Sequence, residues 1–276
     1  MDSFLVVNPI GHDLNLIDEF KNIVNVFQSR DIRFLFLSLD VVDVSNNYLR
    51  SCDWISFHPN GIVSVYPMSD IVRQKERCDL VFDLLESHNF IVNSVVDFTE
   101  AETEGFFLEG LGAVVLDRKC LVAYASLSTK CDEELFIEFC EELEFTPIIF
   151  RASFSDGSPV LLTSSMLKIS NDFVFLASSL IADKKDRKLV LSQLRKTGRE
   201  VFLISEEQVS AYVAEITQIT NKKGQKFVVM SETSFVALSD IEIRRLKLYG
   251  EVLVFDCKNI ENFGNHSLGA MLNQII

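Results

Sequence analysis

The side chains that could do chemistry in this chain are few and far apart. One carboxylate, Glu109, stands between Leu108 and Gly110 in the stretch FLEGLGAVVLDR, Phe107 to Arg118. Gly110 and Gly112 remove side chains beside it, so a ligand or a neighbouring backbone can approach closely. Six cysteines (Cys52, Cys78, Cys120, Cys131, Cys140, Cys257) are scattered without a CxxC pair. That spacing favours buried free thiols in a cytosolic protein over disulfides or zinc. His12, His58 and His88 show no metal-ligand spacing, so no metal is expected. No dinucleotide fingerprint follows Gly110-x-Gly112, and no GxxxxGK[ST] phosphate loop occurs, so no cofactor is expected either. The basic clusters Lys184-Lys185-Asp186-Arg187-Lys188 and Arg244-Arg245-Lys247, and the acidic Glu141-Glu142-Glu144, read as solvated helix faces.

The elements that must position these groups recur in order. FLEGLGAVVLDR and the return strand Leu121–Ala125 read as a hairpin around the charged turn Asp117-Arg118-Lys119. A helix from about Asp132 to Leu143, with Asp132 as N-cap, and the strand Thr146–Phe150 complete that unit. Before it, arms Trp54–Phe57 and Ile62–Tyr66 flank Pro59-Asn60-Gly61, followed by a helix near Arg73 to Ser87 and a strand Ile91–Phe98. After it, Val160–Ile169 pairs with Phe173–Ala177, with a helix near Asp183 to Lys196 ending at Gly198 and a strand Glu200–Ile204. A further unit pairs Ala214–Thr220 with Phe227–Met230, then places a helix near Asp240 to Leu248 and a strand Glu251–Cys257. The N-terminal unit has a strand Phe4–Val7, a helix from about Asp18 to Ser29 with Ile17, Phe20, Ile23, Val24 and Phe27 on one face, and a strand Arg33–Leu39. It lacks a full hairpin, while Ser267–Ile276 is left over at the other end. Corresponding points lie roughly 50–58 residues apart, the range of propellers and solenoids. Five hairpin–helix–strand units predict an α/β fold, a five-bladed α/β propeller closed by pairing the two ends, as a single domain over residues 1–276. An ordinary mixed α/β domain is the alternative.

Composition sets outer bounds. The chain of 276 residues is 48% hydrophobic with 23 Phe, enough for a large dry core, and its formal net charge is −14. A non-specific polyanion binder needs the opposite sign, which disfavours direct nucleic-acid or anionic-membrane binding and leaves a basic protein partner open. Met1-Asp2-Ser3 lacks the positive start of a signal peptide, and no run of about 18 apolar residues exists, so a cytoplasmic protein without a membrane span is expected.

Taken together, DWISFHPNGIVSVYPM (Asp53–Met68), RQKER (Arg73–Arg77) and FLEGLGAVVLDR resemble the guanidino-modifying superfamily of arginine deiminases, amidinotransferases and dimethylarginine hydrolases. The citrulline-utilisation hydrolase type is the nearest branch. The resemblance implies the pentein fold, a five-bladed propeller. It also implies a Cys thiolate that attacks a guanidinium carbon, a His that protonates the leaving amine and then activates water, and carboxylates that hold the planar cation. On that pattern Glu109 stands at the family's active-site glutamate and Asp53 at its guanidinium-binding acid. Arg73 matches a basic position suited to a substrate carboxylate. The family's His-Thr-Asn-like segment reads VLLTSSM here, which puts Leu162 at the His and Ser164 at the polar residue two further on. Its Gly-Gly-Gly-Ser-x-x-Cys-Met segment reads FGNHSLGAM, which puts Ala270 at the Cys.

Nucleophile and general acid/base are therefore both absent from their expected positions, and losing one such group typically costs about a millionfold in rate. Three readings follow. The first is a pseudoenzyme that binds a protein partner, with the ribosome a candidate through a fold analogy to a subunit anti-association factor. The second is a module that still holds an arginine-like cation between Asp53 and Glu109, with Arg73 and Ser164 as further ligand-binding positions. The third is a hydrolase with chemistry relocated to a residue such as Cys257, Cys52 or His266; the plain reading of Cys257 and His266 is a buried thiol and a surface imidazole. Asp53 and Glu109 are expected to converge near the axis, with one pKa raised by their repulsion.

Overall fold

The computed structural model describes residues 2–9, 14–39 and 45–276. His12, named above, lies outside these residues. The first blade is built on β1 (Ser3–Val7), α1 (Leu14–Ser29) and β2 (Arg33–Leu37). The second runs through β3 (Ile55–His58), β4 (Ile62–Val65), α2 (Ile71–Gln74), α3 (Leu80–Ser87) and β5 (Ser94–Asp97). The third contains α4 (Gly110–Ala113), β6 (Val114–Asp117), β7 (Val122–Ser126), α5 (Glu133–Glu142) and β8 (Thr146–Phe150). The fourth has β9 (Leu167–Ile169), β10 (Phe173–Leu176), α6 (Lys184–Lys196) and β11 (Glu200–Leu203). The fifth holds α7 (Glu206–Ser210), β12 (Thr217–Thr220), β13 (Lys226–Ser231), α8 (Glu232–Ala237), α9 (Asp240–Leu246) and β14 (Glu251–Phe255). The chain then adds α10 (Lys258–Gly264), α11 (Leu268–Met271) and β15 (Asn273–Ile275).

These strands form five three-stranded sheets. In each, the middle strand pairs antiparallel with one neighbour and parallel with the strand that follows the helix. A tight turn suffices for the first pairing, whereas the second needs a crossover, which the helices supply. The N-terminal blade takes its third strand from the other end of the chain: β15 pairs with β1, Ser3 opposite Ile275 and Leu5 opposite Asn273. The expected ring closure is present, and it covers what would otherwise be an open edge on β1.

Helix faces and caps follow local rules. On α1 the buried residues are Leu16, Phe20, Ile23 and Phe27, with Leu16 rather than Ile17 turned inward. Asp132 caps α5 by accepting the Glu134 and Leu135 N–H groups, and Gly198 ends α6 with φ +75°. The apolar side chains gather in three clusters: one joins the first and second blades, the closing strand and part of the fifth, one joins the fourth and fifth with part of the third, and one joins the third with Tyr66 and Phe98.

Three expectations change. The helix expected near Arg73 to Ser87 is two helices, α2 and α3, which isolates Arg73 on a single turn capped by Asp70. The first arm of the FLEGLGAVVLDR hairpin shrinks to β6, because Gly110–Ala113 coils into α4. Likewise β9 starts only at Leu167, since Thr163–Ser165 forms a 3-10 turn. All six cysteines are free, with Cys120 exposed rather than buried. No described helix is long and apolar enough to cross a membrane.

Candidate functional site

The site grows from a 3-10 turn, Ser51–Asp53, that enters β3. Asp53 is fully buried there. Arg50 grips it with two hydrogen bonds, Nε to Oδ2 at 2.9 Å and Nη2 to Oδ1 at 3.2 Å. Arg73 adds a third, Nη1 to Oδ2 at 2.7 Å, and donates its remaining N–H groups to Glu76 and the Arg50 carbonyl. Burial alone would raise the pKa of Asp53, but the two guanidinium groups outweigh it and hold the carboxyl well below the usual range. Both arginines, desolvated but paired, are held above their ordinary value. Arg73, expected to meet a substrate carboxylate, is instead 2% exposed and committed between Asp53 and Glu76.

The two glycines of α4 exist for this turn. A Cβ on Gly110, whose φ is +40°, would stand 2.4 Å from the Cys52 carbonyl oxygen. A Cβ on Gly112 would stand 2.3 Å from Asp53 Oδ1 and 3.0 Å from Arg50 Nη2. Their small size admits a neighbouring backbone and the ion pair itself, not a separate ligand.

Glu109 is also fully buried but serves other partners. Its Oε1 accepts from Ser69 Oγ at 2.5 Å and Oε2 from Lys130 Nζ at 2.7 Å. The raised pKa expected from carboxylate repulsion is not found at Asp53, whose two guanidinium partners lower it instead, while Glu109 has Lys130 beside it.

Two cavities flank the turn. One, of about 440 Å³, is lined by Asp53, Arg73, Lys130 and Leu162. The other, of about 240 Å³, is lined by Cys52, Ser164, Lys168 and Ala270. Arg50 and Glu215 line both, so they stand between the two. Leu162 and Ala270, the positions that the family resemblance assigns to the His and the Cys, thus face different spaces, and Ser164 shares the second with Ala270. No histidine lines either cavity among the described residues.

Glu215 and Arg50 carry no motif, and sequence reasoning passed over both. The only local signal for Arg50 is its spacing of three from Asp53. Glu215 Oε2 accepts the Ser267 N–H at 2.7 Å and the Ala270 N–H at 3.3 Å, pinning the segment that carries Ala270. Burial pushes its pKa up to about 7 against the opposing pull of Arg50 and the two N–H groups. Gly269 is required beside it, since a Cβ there would stand 1.8 Å from the Glu215 carbonyl oxygen.

The candidates for relocated chemistry are poorly placed for it. Cys52 Sγ is 3.5 Å from the Ala270 carbonyl oxygen and 3.7 Å from Asp53 Oδ1. Burial first, and then the Asp53 charge, pushes its thiol up to about 12, so it is protonated at neutral pH. Cys257 is the N-cap of α10 rather than a strand residue, and its thiol is buried and likewise pushed up. His266 is not a surface imidazole. It is fully buried, its Nε2 has no hydrogen-bond partner, and burial lowers its pKa to about 3.

The family model of the eukaryotic N,N dimethylarginine dimethylhydrolases matches residues 11–276. The chain belongs to that family. With it comes membership of the pentein arginine deiminase and amidinotransferase superfamily. No curated protein matches in sequence. Solved structures with the same fold include ArgZ, a cyanobacterial arginine dihydrolase of the ornithine-ammonia cycle, with a TM-score of 0.76 at 8% identity. The match covers 100% of this chain but 40% of ArgZ, so the chain spans well under half of that protein. It covers 98% of the N-terminal domain of ArgZ solved with substrate, at a TM-score of 0.75 and 8% identity. A dimethylarginine dimethylaminohydrolase carrying a 4-chloro-2-hydroxymethylpyridine adduct matches over 99% of both chains, with a TM-score of 0.66 and 12% identity. At these identities the structural likeness concerns the fold.

Proposed function

We propose that this chain is a catalytically inactive member of its family, one domain over residues 1–276, which acts in the cytoplasm by binding a protein partner. The observation that carries this reading is the paired hydrogen bond from Arg50 to Asp53. Asp53 resembles the acid that binds a substrate guanidinium in the superfamily, and here a guanidinium of the same chain already occupies both of its oxygens. A free arginine would have to displace a buried ion pair before it could be held, and breaking such a pair typically costs about 3–5 kcal/mol.

Nothing beside the pair replaces the missing chemistry. Ala270 offers no nucleophile and Leu162 no proton, and the nearest thiol, Cys52, is held protonated by burial. Turnover of guanidino compounds through relocated residues, and arginine sensing through Asp53 and Glu109, both require groups that are committed elsewhere. A net charge of −14 suits a partner with a basic surface, of which ribosomal protein is one class. Titration calorimetry with arginine, dimethylarginine and citrulline tests the first half of the proposal: no heat of binding is expected up to about millimolar concentration. A pull-down from the native cell followed by mass spectrometry tests the second half: a specific protein should be recovered, and recovery of none at stoichiometric level argues against the binding role.

A further inference from the structure

The 240 Å³ cavity beside Ala270 has a charge opposite to that of the whole chain. Arg50, Arg118, Lys119, Lys168 and Arg199 line it, against the carboxylates of Asp2 and Glu215. Two of these cations are already neutralised. Arg50 is held by Asp53, and Arg199 binds Asp117 at 2.6 Å. The two carboxylates are also engaged: Asp2 accepts from Thr220 N–H at 2.6 Å and from Gln274 Nε2 at 2.9 Å, and Glu215 accepts the two N–H groups at α11.

Besides the exposed Lys119, Arg118 and Lys168 remain. Neither of these two has an ion pair among the described residues, although eleven pairs form elsewhere. Arg118 donates only to neutral acceptors, His58 Nδ1 at 3.1 Å and the Phe57 carbonyl oxygen at 3.1 Å. Lys168 projects from β9, and burial lowers its pKa against the opposing pull of Cys52 and Glu215, with Arg50 adding to the lowering. Burial likewise lowers the pKa of Arg118 to about 10. A desolvated cation without an ion-pair partner is costly, and an anion brought into direct contact with it lowers that cost. An unused donor lines the same cavity: Ser170, 9% exposed, has an Oγ with no hydrogen-bond partner among the described residues.

We propose that this cavity is a binding site for a small multiply charged oxyanion, a phosphate ester or a di- or tricarboxylate, held by Lys168, Arg118 and the Ser170 hydroxyl. The site lies on the far side of Arg50 and Glu215 from the cavity that contains Asp53 and Leu162. It requires neither the catalytic residues nor their loss, and so stands apart from the reading of the chain as inactive. Lys119, exposed at the rim, supplies a further charge that draws anions inward.

Titration calorimetry of the full chain against inorganic phosphate, pyrophosphate and citrate tests the site. Saturable binding of one equivalent of at least one of them is expected, and Lys168→Gln should weaken it at least about tenfold, the usual worth of a hydrogen bond to a charged group. Preference for pyrophosphate identifies the phosphate class, and preference for citrate the polycarboxylate class. Lys185→Gln, on the exposed face of α6, should leave affinity unchanged. If Lys168→Gln does not fold, as judged by circular dichroism, Lys119→Gln must weaken binding about two- to threefold, as suits an exposed charge. No saturable binding of any of the three at about 10 mM, or full affinity in the charge-removal variant, overturns the proposal.

Discussion

Replacing Arg50 with alanine removes two hydrogen bonds from the fully buried Asp53, at 2.9 and 3.2 Å, and leaves the carboxylate with Arg73 alone. Breaking a buried pair by deleting one partner typically costs about 3–5 kcal/mol. Because Arg73 still neutralises Asp53, the lower end applies, about 3 kcal/mol. For a chain of this length each kcal/mol moves Tm by about 2–4 °C, so Arg50→Ala should melt roughly 6–12 °C below wild type. The deletion also opens a guanidinium-shaped space beside a carboxylate. Methylguanidine at about 10 mM should then restore part of the lost Tm in Arg50→Ala and do nothing for wild type, since a ligand that binds only the folded state raises its stability. Differential scanning fluorimetry measures both effects. An Arg50→Ala protein that melts at the wild-type temperature would refute the buried-pair reasoning. A variant that is destabilised but indifferent to methylguanidine would refute the idea that Arg50 fills a guanidinium slot.

Other predictions concern pH, ring closure and restored residues. The folded-state pKa of Glu215 is raised to about 7, above its unfolded value, so its contribution to stability declines as pH rises from about 4.5 to 7. Glu215→Gln should accordingly gain on wild type across that window, and chemical denaturation at several pH values measures the difference. Asp53 has the opposite sign: its depressed pKa gives stability that is present above about pH 4 and lost on further acidification, so Asp53→Asn should flatten the acid limb. Deleting Ser267–Ile276 removes β15 and bares the edge of β1, so the truncated chain should melt well below the full one. The double change Leu162→His with Ala270→Cys should not create turnover in an amine-release assay, because the two positions line different cavities with Arg50 and Glu215 between them.

Much of the fold was legible because it is local and repeated. Hairpin turns such as Pro59-Asn60-Gly61, the Asp132 cap and the Gly198 stop act over a few residues, and their recurrence at one period specifies the ring. The ends Phe4–Val7 and Met271–Ile276 could be paired by elimination, since every other strand already had partners. Gly110 and Gly112 announced a close approach without saying to what, because the Ser51–Asp53 turn that needs the space lies over fifty residues away in the chain. The site was less legible for the same reason. Whether Asp53 faces a ligand or Arg50 depends on rotamers and on the α2 turn that brings Arg73 back to it, and hydrophobic periodicity carries neither. His266 lies in a polar stretch, Asn265 to Ser267, that reads as surface, yet it is fully buried in the turn between α10 and α11.

The most direct test is amine release from asymmetric dimethylarginine and from arginine by the purified wild-type chain, followed over hours at neutral pH. No dimethylamine or ammonium above the uncatalysed rate is predicted. Steady turnover by the wild-type chain that disappears in both Glu109→Ala and Cys52→Ser would contradict the account, and would assign to the Cys52 thiol the nucleophile that Ala270 cannot be.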